Sequence, residues 1–246
     1  MKYWTSDYGG HPFLLFGPPH LVTLLFVVII SLCIVLCRYW ISGKLEKQIR
    51  FSLAVFLVIN ELSWHVWNAS SDQWIIQTML PLHLCGIMVW SSAYLLFTKN
   101  YRAYEFVYFL GLGGAVQALL TPNIGDYGFP HFRFFQSMIA HGLIVIAALY
   151  ATVIWKYRPT FESCRRVFLW GNGFLMVVMI INYAIGSNYM FLLHKPQDPS
   201  LLDYFGPWPF YLVGIEISGL ITMALLYLPF YRVERKNEVI NGVGPQ

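Results

Sequence analysis

Seven long apolar runs, separated by short polar connections, dominate the chain. Each run holds about 17 to 22 residues, which at about 1.5 Å per residue is enough to cross hydrocarbon about 30 Å thick. The pattern therefore predicts an all-α, polytopic integral membrane protein, with residues 1–246 forming a single seven-helix membrane domain. The predicted transmembrane helices cover about residues 20–38, 51–67, 80–97, 104–120, 134–155, 167–186 and 210–230.

Composition excludes a water-soluble fold and gives no sign of a nucleic-acid partner. The chain is 57% hydrophobic and 11% charged, whereas soluble domains average about 45 to 50% apolar and about 25% charged residues. The net charge is +4, but the basic residues are dispersed over short connections and form no basic face. We therefore expect no nucleic-acid partner, and the dispersed cysteines predict no disulfide framework.

The basic residues alternate between the two sides of the predicted helices. Of the sixteen Lys and Arg residues, all but Lys2, Arg133 and Lys195 fall in connections on one side. Short loops rich in Lys and Arg stay in the cytoplasm. We therefore expect the amino terminus outside and the carboxy terminus in the cytoplasm of a multi-pass plasma-membrane protein.

Polar residues gather near the predicted outer ends of several helices. An ionisable group at the centre of a membrane helix costs about 2.5 to 3.5 kcal/mol, so each is a hypothesis for a functional site. At 1.5 Å per residue, six residues lie about 6 to 10 Å below that face. They are Glu61, Cys85, Gln117, His141, Asn182 and Glu216. His20, His65 and His83 lie in the same outer parts of helices, and together these residues predict a polar cavity.

Structural explanations compete with a functional one for many of these residues. Histidines at a membrane interface often anchor helices or complete hydrogen bonds, which would explain His20, His65 and His131. Cysteine in a helix is often a small packing residue. Asn and Gln commonly join neighbouring helices, and glycines allow close packing. These explanations apply to Cys85, Gln117, Asn172 and Asn182, and to Gly111, Gly113 and Gly114.

Three chemistries fit such a cavity. In the first, Cys85 is a thiol nucleophile, His141 its base, and Glu216 or Glu61 the carboxylate that orients the imidazole. We prefer His141 to His83, because two residues along a helix turn the side chain by about 200° from Cys85. In the second, histidines and the two glutamates bind a metal, although no HxxxH or HExxH pair is present. In the third, the polar groups relay protons or bind a small solute.

Several segments resemble known membrane families over nearly the whole chain. They are Leu80-Pro81-Leu82-His83-Leu84-Cys85-Gly86, the run from Gly113 to Pro122, His131-Phe132-Arg133-Phe134, Ala140-His141-Gly142, Asn188-Tyr189-Met190, Lys195-Pro196 and Gly206-Pro207-Trp208-Pro209. These segments resemble the bacterial YwaF-like integral membrane proteins. They are similar in turn to transmembrane protein 164, an acyltransferase of ether phospholipids, and more remotely to the androgen-induced gene 1 hydrolases of fatty-acid esters.

These resemblances imply roles for two residues. The nucleophilic cysteine of transmembrane protein 164 lies in a His-x-Cys segment, which corresponds here to His83-Leu84-Cys85. The catalytic histidine of the androgen-induced gene 1 hydrolases corresponds to His141. The chain departs from the eukaryotic segment at Leu84 and Gly86, where that segment has Pro and His.

The sequence therefore predicts a membrane-embedded enzyme of lipid acyl chemistry, either an acyltransferase or a lipid ester hydrolase. Cys85, activated by His141, would attack an acyl ester, with Asn182 or Gln117 stabilising the oxyanion. Membrane lipids are the expected partners, and no cofactor or metal is expected. The alternatives are a small-solute transporter or receptor-like protein using the same cavity and, third, a metal-dependent lipid hydrolase.

Overall fold

The computed structural model describes residues 3–196 and 201–240, with the backbone alone for residues 201 and 232–240. Every secondary-structure element in these residues is a helix. Seven main helices follow the order of the seven apolar runs. They are α1 (Pro18–Leu36), α2 (Gly43–Ser70), α3 (Leu84–Thr98), α4 (Tyr101–Leu120), α5 (Phe132–Val153), α6 (Phe161–Ile185) and α7 (Phe210–Ile240).

Six of these helices are long and apolar enough to cross a membrane, and α3 is a shorter apolar helix. The predicted all-α polytopic membrane fold is therefore confirmed. The direction in which the chain crosses the membrane stays a prediction. Lys2 and the end of the chain after residue 240 lie outside the described residues, as do the side chains of Arg232, Arg235 and Lys236.

Helix α3 begins four residues later than predicted. The apolar run starts at Leu80, but Pro81 and Leu82 form a turn and the helix begins at Leu84. The backbone N–H of Leu80 donates a hydrogen bond to the hydroxyl of Tyr189 at 2.9 Å, so a side chain rather than a helical carbonyl is its partner. Apolar character alone does not distinguish this packed turn from a first helical turn.

Helix α2 begins eight residues earlier than predicted, because its charged first turns are helical. Lys44, Lys47 and Arg50 were predicted to lie in a connection, but they belong to α2. Glu46 and Arg50 form an ion pair at 3.4 Å with the i, i+4 spacing of helix neighbours. Charged residues at this end extend the helix beyond its apolar run.

The chain divides into two compact units, and the single predicted domain stays a prediction. The first unit consists of the described part of Met1–Ile75 together with Leu84–Tyr157, and so contains α1 to α5. Its core includes Leu57, Leu96, Ile144 and Tyr150, all buried. Helix α3 packs against both α2 and α5 in this unit.

Glycines of α4 allow close helix packing in the first unit. Residues Val107–Leu112 of α4 form a π-helical segment. A Cβ on Gly111 would lie 3.1 Å from the side chain of Ile144, and one on Gly114 would lie 3.2 Å from Leu84. These two contacts agree with the predicted close-packing role, and they bring α4 against α5 and against the start of α3.

The buried carboxylate of Glu46, in the first turn of α2, joins the ends of several helices. The Oε1 atom of Glu46 lies 3.0 Å from the Nζ atom of Lys99 and accepts a hydrogen bond of 2.7 Å from the indole N–H of Trp155. The hydroxyl of Tyr150 donates to the backbone oxygen of Glu46 at 3.2 Å. These contacts fix α2, α5 and the α3–α4 junction about 22 Å along the helix from Glu61.

The second unit consists of Ile76–His83 and the described part of Arg158–Gln246, and so contains α6 and α7. A short helix, Ile76–Met79, and two 3-10 segments, Tyr189–Phe191 and Leu201–Phe205, lie between or beside them. Val178, Tyr189 and Leu192 form its buried core.

Candidate functional site

Cys85 is the second residue of α3, just after the turn of Leu80–His83. Its side chain is partly buried, and its thiol is free rather than disulfide-bonded. The amino-terminal turn of a helix carries a partial positive charge that favours a nearby thiolate. Burial of the thiol opposes this effect, so Cys85 would need a base to act as a nucleophile.

Helix α2 contributes a buried carboxylate. Glu61 is 6% exposed, and its Oε1 atom lies 3.8 Å from the Nε2 atom of His65 one turn later. The Nδ1 atom of His65 accepts a hydrogen bond from the indole N–H of Trp74 at 3.1 Å, so the hydrogen of a neutral His65 is on Nε2 and faces Glu61. The separation is longer than a hydrogen bond, so His65 is a neighbour of the Glu61 carboxylate rather than a donor to it.

Arg133 is the residue that the sequence reasoning missed. It was assigned to an outer connection, but it is the second residue of α5. Its guanidinium carbon lies 4.1 Å from the ring centroid of Trp64, and the guanidinium donates a short hydrogen bond to Oε1 of Gln136. Stacking on an aromatic face and bonding to an amide hold a planar guanidinium in a fixed orientation.

Arg133 is a positive charge close enough to act on three of the predicted polar residues of the first unit. They are Glu61 on α2, Cys85 on α3 and His141 on the same helix as Arg133. No direct ion pair joins Arg133 to Glu61, so the carboxylate and the guanidinium share a site without neutralising each other by contact. We call Glu61, Cys85, Arg133 and His141 the first-unit site.

The hydrogen bonds of His141 fix which ring nitrogen can accept a proton. Its Nδ1 atom lies 2.7 Å from the backbone oxygen of Ser137, one turn earlier on α5. A carbonyl only accepts hydrogen bonds, so Nδ1 carries the hydrogen and Nε2 has the free lone pair. The Ser137 carbonyl thus provides the orientation that was predicted for a carboxylate. No hydrogen bond joins His141 to Cys85.

The amino-terminal segment holds the start of α5 in place. The backbone oxygen of Tyr3 accepts a hydrogen bond from the N–H of Phe132 at 2.9 Å, and the oxygen of Trp4 accepts one from the indole of Trp67 at 2.7 Å. Backbone oxygens of His11 and Pro12 approach Gly128 so closely that a Cβ there would lie 2.3 Å from the first of them. This anchoring orients the helix turn that carries Arg133.

His131 joins the amino-terminal segment to α5. Its Nδ1 atom accepts a hydrogen bond from the N–H of Arg133 at 3.1 Å, and its Nε2–H donates to the backbone oxygen of Thr5 at 3.0 Å. Burial lowers the pKa of His131. With both ring nitrogens bonded, His131 fits the role of a satisfied hydrogen-bond partner that caps the helix.

Two of the predicted cavity residues have other environments in the first unit. His20 is buried, donates from Nε2 to the backbone oxygen of Leu119 at 2.7 Å, and accepts at Nδ1 from the N–H of Phe16 at 3.0 Å. Nε2 therefore joins α1 to α4, and Nδ1 bonds the segment just before α1. Gln117 is on α4, where its side chain is exposed.

The remaining predicted residues belong to the second unit, where Asn182 is a structural residue. Its Oδ1 atom accepts from the hydroxyl of Ser187 at 2.7 Å and from the N–H of Tyr189 at 2.8 Å, while its Nδ2 donates to the oxygen of Tyr189 at 3.0 Å. These bonds close the carboxyl end of α6, where Gly186 has a left-handed conformation with φ of 66°. The chain itself thus supplies two donors to the amide oxygen and one acceptor to the amide nitrogen.

His83 and Glu216 each have a partner within the second unit. The Nδ1 atom of His83 accepts a hydrogen bond from the N–H of Met190 at 3.2 Å, and burial lowers the pKa of His83. Asn172 donates to the Oε2 atom of Glu216 at 3.3 Å. His83 therefore lies in the turn before α3, and Glu216 lies on α7.

A protein-family profile described as the TMEM164 family matches residues 15–227, which is most of the chain. The chain belongs to the TMEM164 family. No curated protein and no solved structure matches it. Membership of the TMEM164 family and the long apolar helices together make this chain an integral membrane protein.

The matched region of the TMEM164 family includes the whole first-unit site. Three of the predicted residues, Glu61, Cys85 and His141, lie in the same compact unit as Arg133, and their common role stays a prediction. Across residues 3–196 and 201–240, no set of three or more His, Cys, Asp or Glu side chains is arranged to hold a metal ion.

Proposed function

We propose that this chain carries out thiol-dependent acyl chemistry on lipid esters, with Cys85 as the nucleophile of the first-unit site. The observation that carries the proposal is that one compact unit holds Cys85 in the first turn of α3, Glu61 buried on α2, and Arg133 and His141 on α5, with Nε2 of His141 free. A lipid-related activity is compatible with TMEM164 family membership. The acceptor of the acyl group decides between an acyltransferase and a hydrolase.

The first half of the reaction makes an acyl-enzyme. The Nε2 atom of His141 takes the proton of the Cys85 thiol, and the thiolate attacks the carbonyl carbon of the ester. The carbonyl oxygen becomes an oxyanion. When the oxyanion collapses, the bond between carbon and the alcohol oxygen breaks, and His141 returns the proton to the leaving alcohol.

The second half transfers the acyl group. An acceptor hydroxyl or water gives a proton to His141 and attacks the thioester carbon. The carbon–sulfur bond then breaks, the acyl chain leaves on its acceptor, and Cys85 regains its proton from His141. The hydrogen bond from Nδ1 of His141 to the Ser137 carbonyl supports this role, because it leaves Nε2 free to accept a proton in both halves.

Arg133 is the proposed stabiliser of the oxyanion, in place of Asn182 or Gln117. The amide of Asn182 is used by Ser187 and Tyr189, and Gln117 is exposed. Arg133 combines a permanent charge with an interaction with Cys85. A donor at such a position typically contributes about 2.7 to 4 kcal/mol to the transition state.

Labelling by an acyl probe tests the proposal. The purified protein in phosphatidylcholine vesicles is treated with an alkyne-tagged fatty-acyl ester, and the modified residue is mapped by mass spectrometry. We expect a hydroxylamine-sensitive thioester on Cys85, absent from the Cys85→Ala variant. Cys164→Ala, which removes another partly buried cysteine outside any disulfide, is the matched control and should be labelled normally. Equal labelling of the Cys85→Ala variant would refute the assignment.

Binding of a small polar solute is the second candidate. The observation in its favour is that Glu61 and Arg133 lie in one site without forming a direct ion pair, which leaves both charges for a ligand. Solute uptake that survives Cys85→Ala but is lost with Glu61→Gln would favour this function over acyl chemistry.

The more detailed family relations and the location belong to the same proposal. A closer relation to YwaF-like proteins and a remote one to androgen-induced gene 1 hydrolases stay predictions, as do the plasma membrane and membrane lipids as partners. Fractionation of cells that express the chain tests the location.

A further inference from the structure

An apolar groove of about 470 Å³ runs between α1, α4 and α5 of the first unit. Leu24, Val28 and Val35 of α1 line one side, and Val116, Val145 and Leu149 are among the residues opposite. Ser31 is the one hydroxyl among the lining residues. Because membrane-spanning helices form the groove, hydrocarbon rather than water is its natural content.

The length of the groove matches one acyl chain. Its α1 side runs from Leu24 to Val35, which is about 16 Å at 1.5 Å per residue. This is about half of the hydrocarbon thickness of about 30 Å, and so about the depth that the chains of one leaflet fill. Several chains lying side by side would need a wider groove.

One residue of the first-unit site, His141, lies one helical turn from the groove along α5. His141, Val145 and Leu149 are spaced four residues apart, so they lie on one face of the helix. Val145 and Leu149 line the groove, and His141 is one turn beyond them. At this level, a Cβ on Gly142 would lie 3.0 Å from the Val27 side chain, so α1 and α5 are in close contact where the groove begins.

We propose that the groove binds the acyl chain of the lipid ester, with the ester at the level of His141 and the chain running along α5 toward Leu149. The groove then selects the length of the acyl chain that is transferred. The position given to the ester rests on the proposed acyl chemistry. Binding of the acyl chain in the groove does not, and it can be measured without any reaction.

Two neighbouring residues of α1 give a matched test. Val28 lines the groove and is 52% exposed, whereas Ile29 is 45% exposed and does not line it. Val28→Trp fills part of the groove, and Ile29→Trp adds the same indole on another face. The assay measures acyl labelling of Cys85 with otherwise identical C10 and C18 esters.

The expected result is a fall in the C18-to-C10 ratio for Val28→Trp alone. The indole of Val28→Trp occupies space that the end of a C18 chain would fill, so the C18-to-C10 ratio falls several-fold. Ile29→Trp leaves the ratio as in the parent protein. An unchanged ratio in the Val28→Trp variant, with Cys85 still labelled, would refute acyl-chain binding in the groove. It would not contradict the proposed function.

A binding measurement decides the inference even where no acyl transfer is found. A phosphatidylcholine with a photoactivatable diazirine near the end of a C18 chain is incorporated into phosphatidylcholine vesicles with the protein. Saturable crosslinking to residues 24–35, lost with Val28→Trp and kept with Ile29→Trp, supports the groove. Crosslinking that is non-saturable and equal in all three proteins contradicts it.

Discussion

Replacing Arg133 by methionine tests whether the two opposite charges of the first-unit site stabilise each other. Methionine keeps an unbranched apolar side chain but carries no charge. Glu61, which is 6% exposed, then loses the cation that offsets its charge and keeps His65 at 3.8 Å. The stacking of the guanidinium on Trp64 is lost at the same time.

The magnitude follows from these two losses. Opposite unit charges about 4 Å apart attract by about 4 kcal/mol at an effective dielectric constant of about 20. Arg133 and Glu61 are not in direct contact, so their attraction is smaller, about 1 to 3 kcal/mol. The cation–π contact contributes about another 1 kcal/mol. We expect Arg133→Met to lower the free energy of unfolding by about 2 to 4 kcal/mol, or the Tm by about 5 to 15 °C.

The assay is a double-mutant cycle on protein in one detergent. Thermal unfolding is measured for the parent, Arg133→Met, Glu61→Gln and the double variant. Because the double variant leaves neither charge unpaired, it should be more stable than the sum of the single losses predicts, by about 1 to 3 kcal/mol. Glu162→Gln is the control, since its ion pair with Arg165 is exposed and contributes less than about 1 kcal/mol.

Simple additivity of the two single losses would refute the reasoning, because it would mean that Glu61 and Arg133 do not interact. The same variants separate stability from chemistry. The double variant should recover stability, while its acyl transfer stays about 10² to 10³-fold below that of the parent, since the proposed oxyanion donor is gone.

Three further predictions concern His141, His131 and Glu46. His141→Gln should slow labelling of Cys85 by about 10² to 10⁴-fold at neutral pH, and the loss should shrink at high pH, where the thiol ionises without a base; a pH series of labelling rates checks this. Because burial lowers the pKa of His131, the unfolded chain binds that proton first, so the free energy of unfolding should fall as pH drops below about 6.5. His131→Gln should reduce this pH dependence, and an unchanged dependence would contradict the assignment. Glu46→Leu leaves Lys99 and Arg50 without their carboxylate and should cost about 3 kcal/mol in denaturant unfolding, whereas a loss below about 1 kcal/mol would count against a structural role.

The sequence predicted the helices and part of the site for the same physical reason. Apolar runs of membrane-spanning length have few alternative structures in hydrocarbon. An ionisable residue kept within such a run is costly, so Glu61, Cys85 and His141 were singled out before their helices were known to meet. The structure then related all three to a fourth residue, Arg133.

Arg133 was missed because it is one residue inside the boundary between a connection and a helix. Apolar periodicity places such boundaries poorly, and an arginine next to a boundary is read as part of the loop. One local signal was available. His131 at a helix cap, followed by Arg133 and then Gln136 three residues later, describes a helix start with neighbouring polar side chains on one face.

Asn182 had both a functional and a structural explanation from its sequence, and its hydrogen bonds agree with the structural one. Its depth in the predicted helix suggested a donor in a cavity, but its position four residues before Gly186 indicates a helix end. An amide at that point can satisfy the backbone of the chain that follows, and here it bonds Ser187 and Tyr189. Local capping therefore competes with function for polar residues near helix ends.

The late start of α3 determines how the chain fits a bilayer. At 15 residues, α3 is about 22 Å long, about 8 Å less than the hydrocarbon that its neighbours cross. Lipid around a short element thins locally, and the cost rises with each ångström of mismatch. A thin membrane would therefore suit this chain better than a thick, sterol-rich one, and the residue at the short end, Cys85, would be the one brought nearest to the headgroups by thinning.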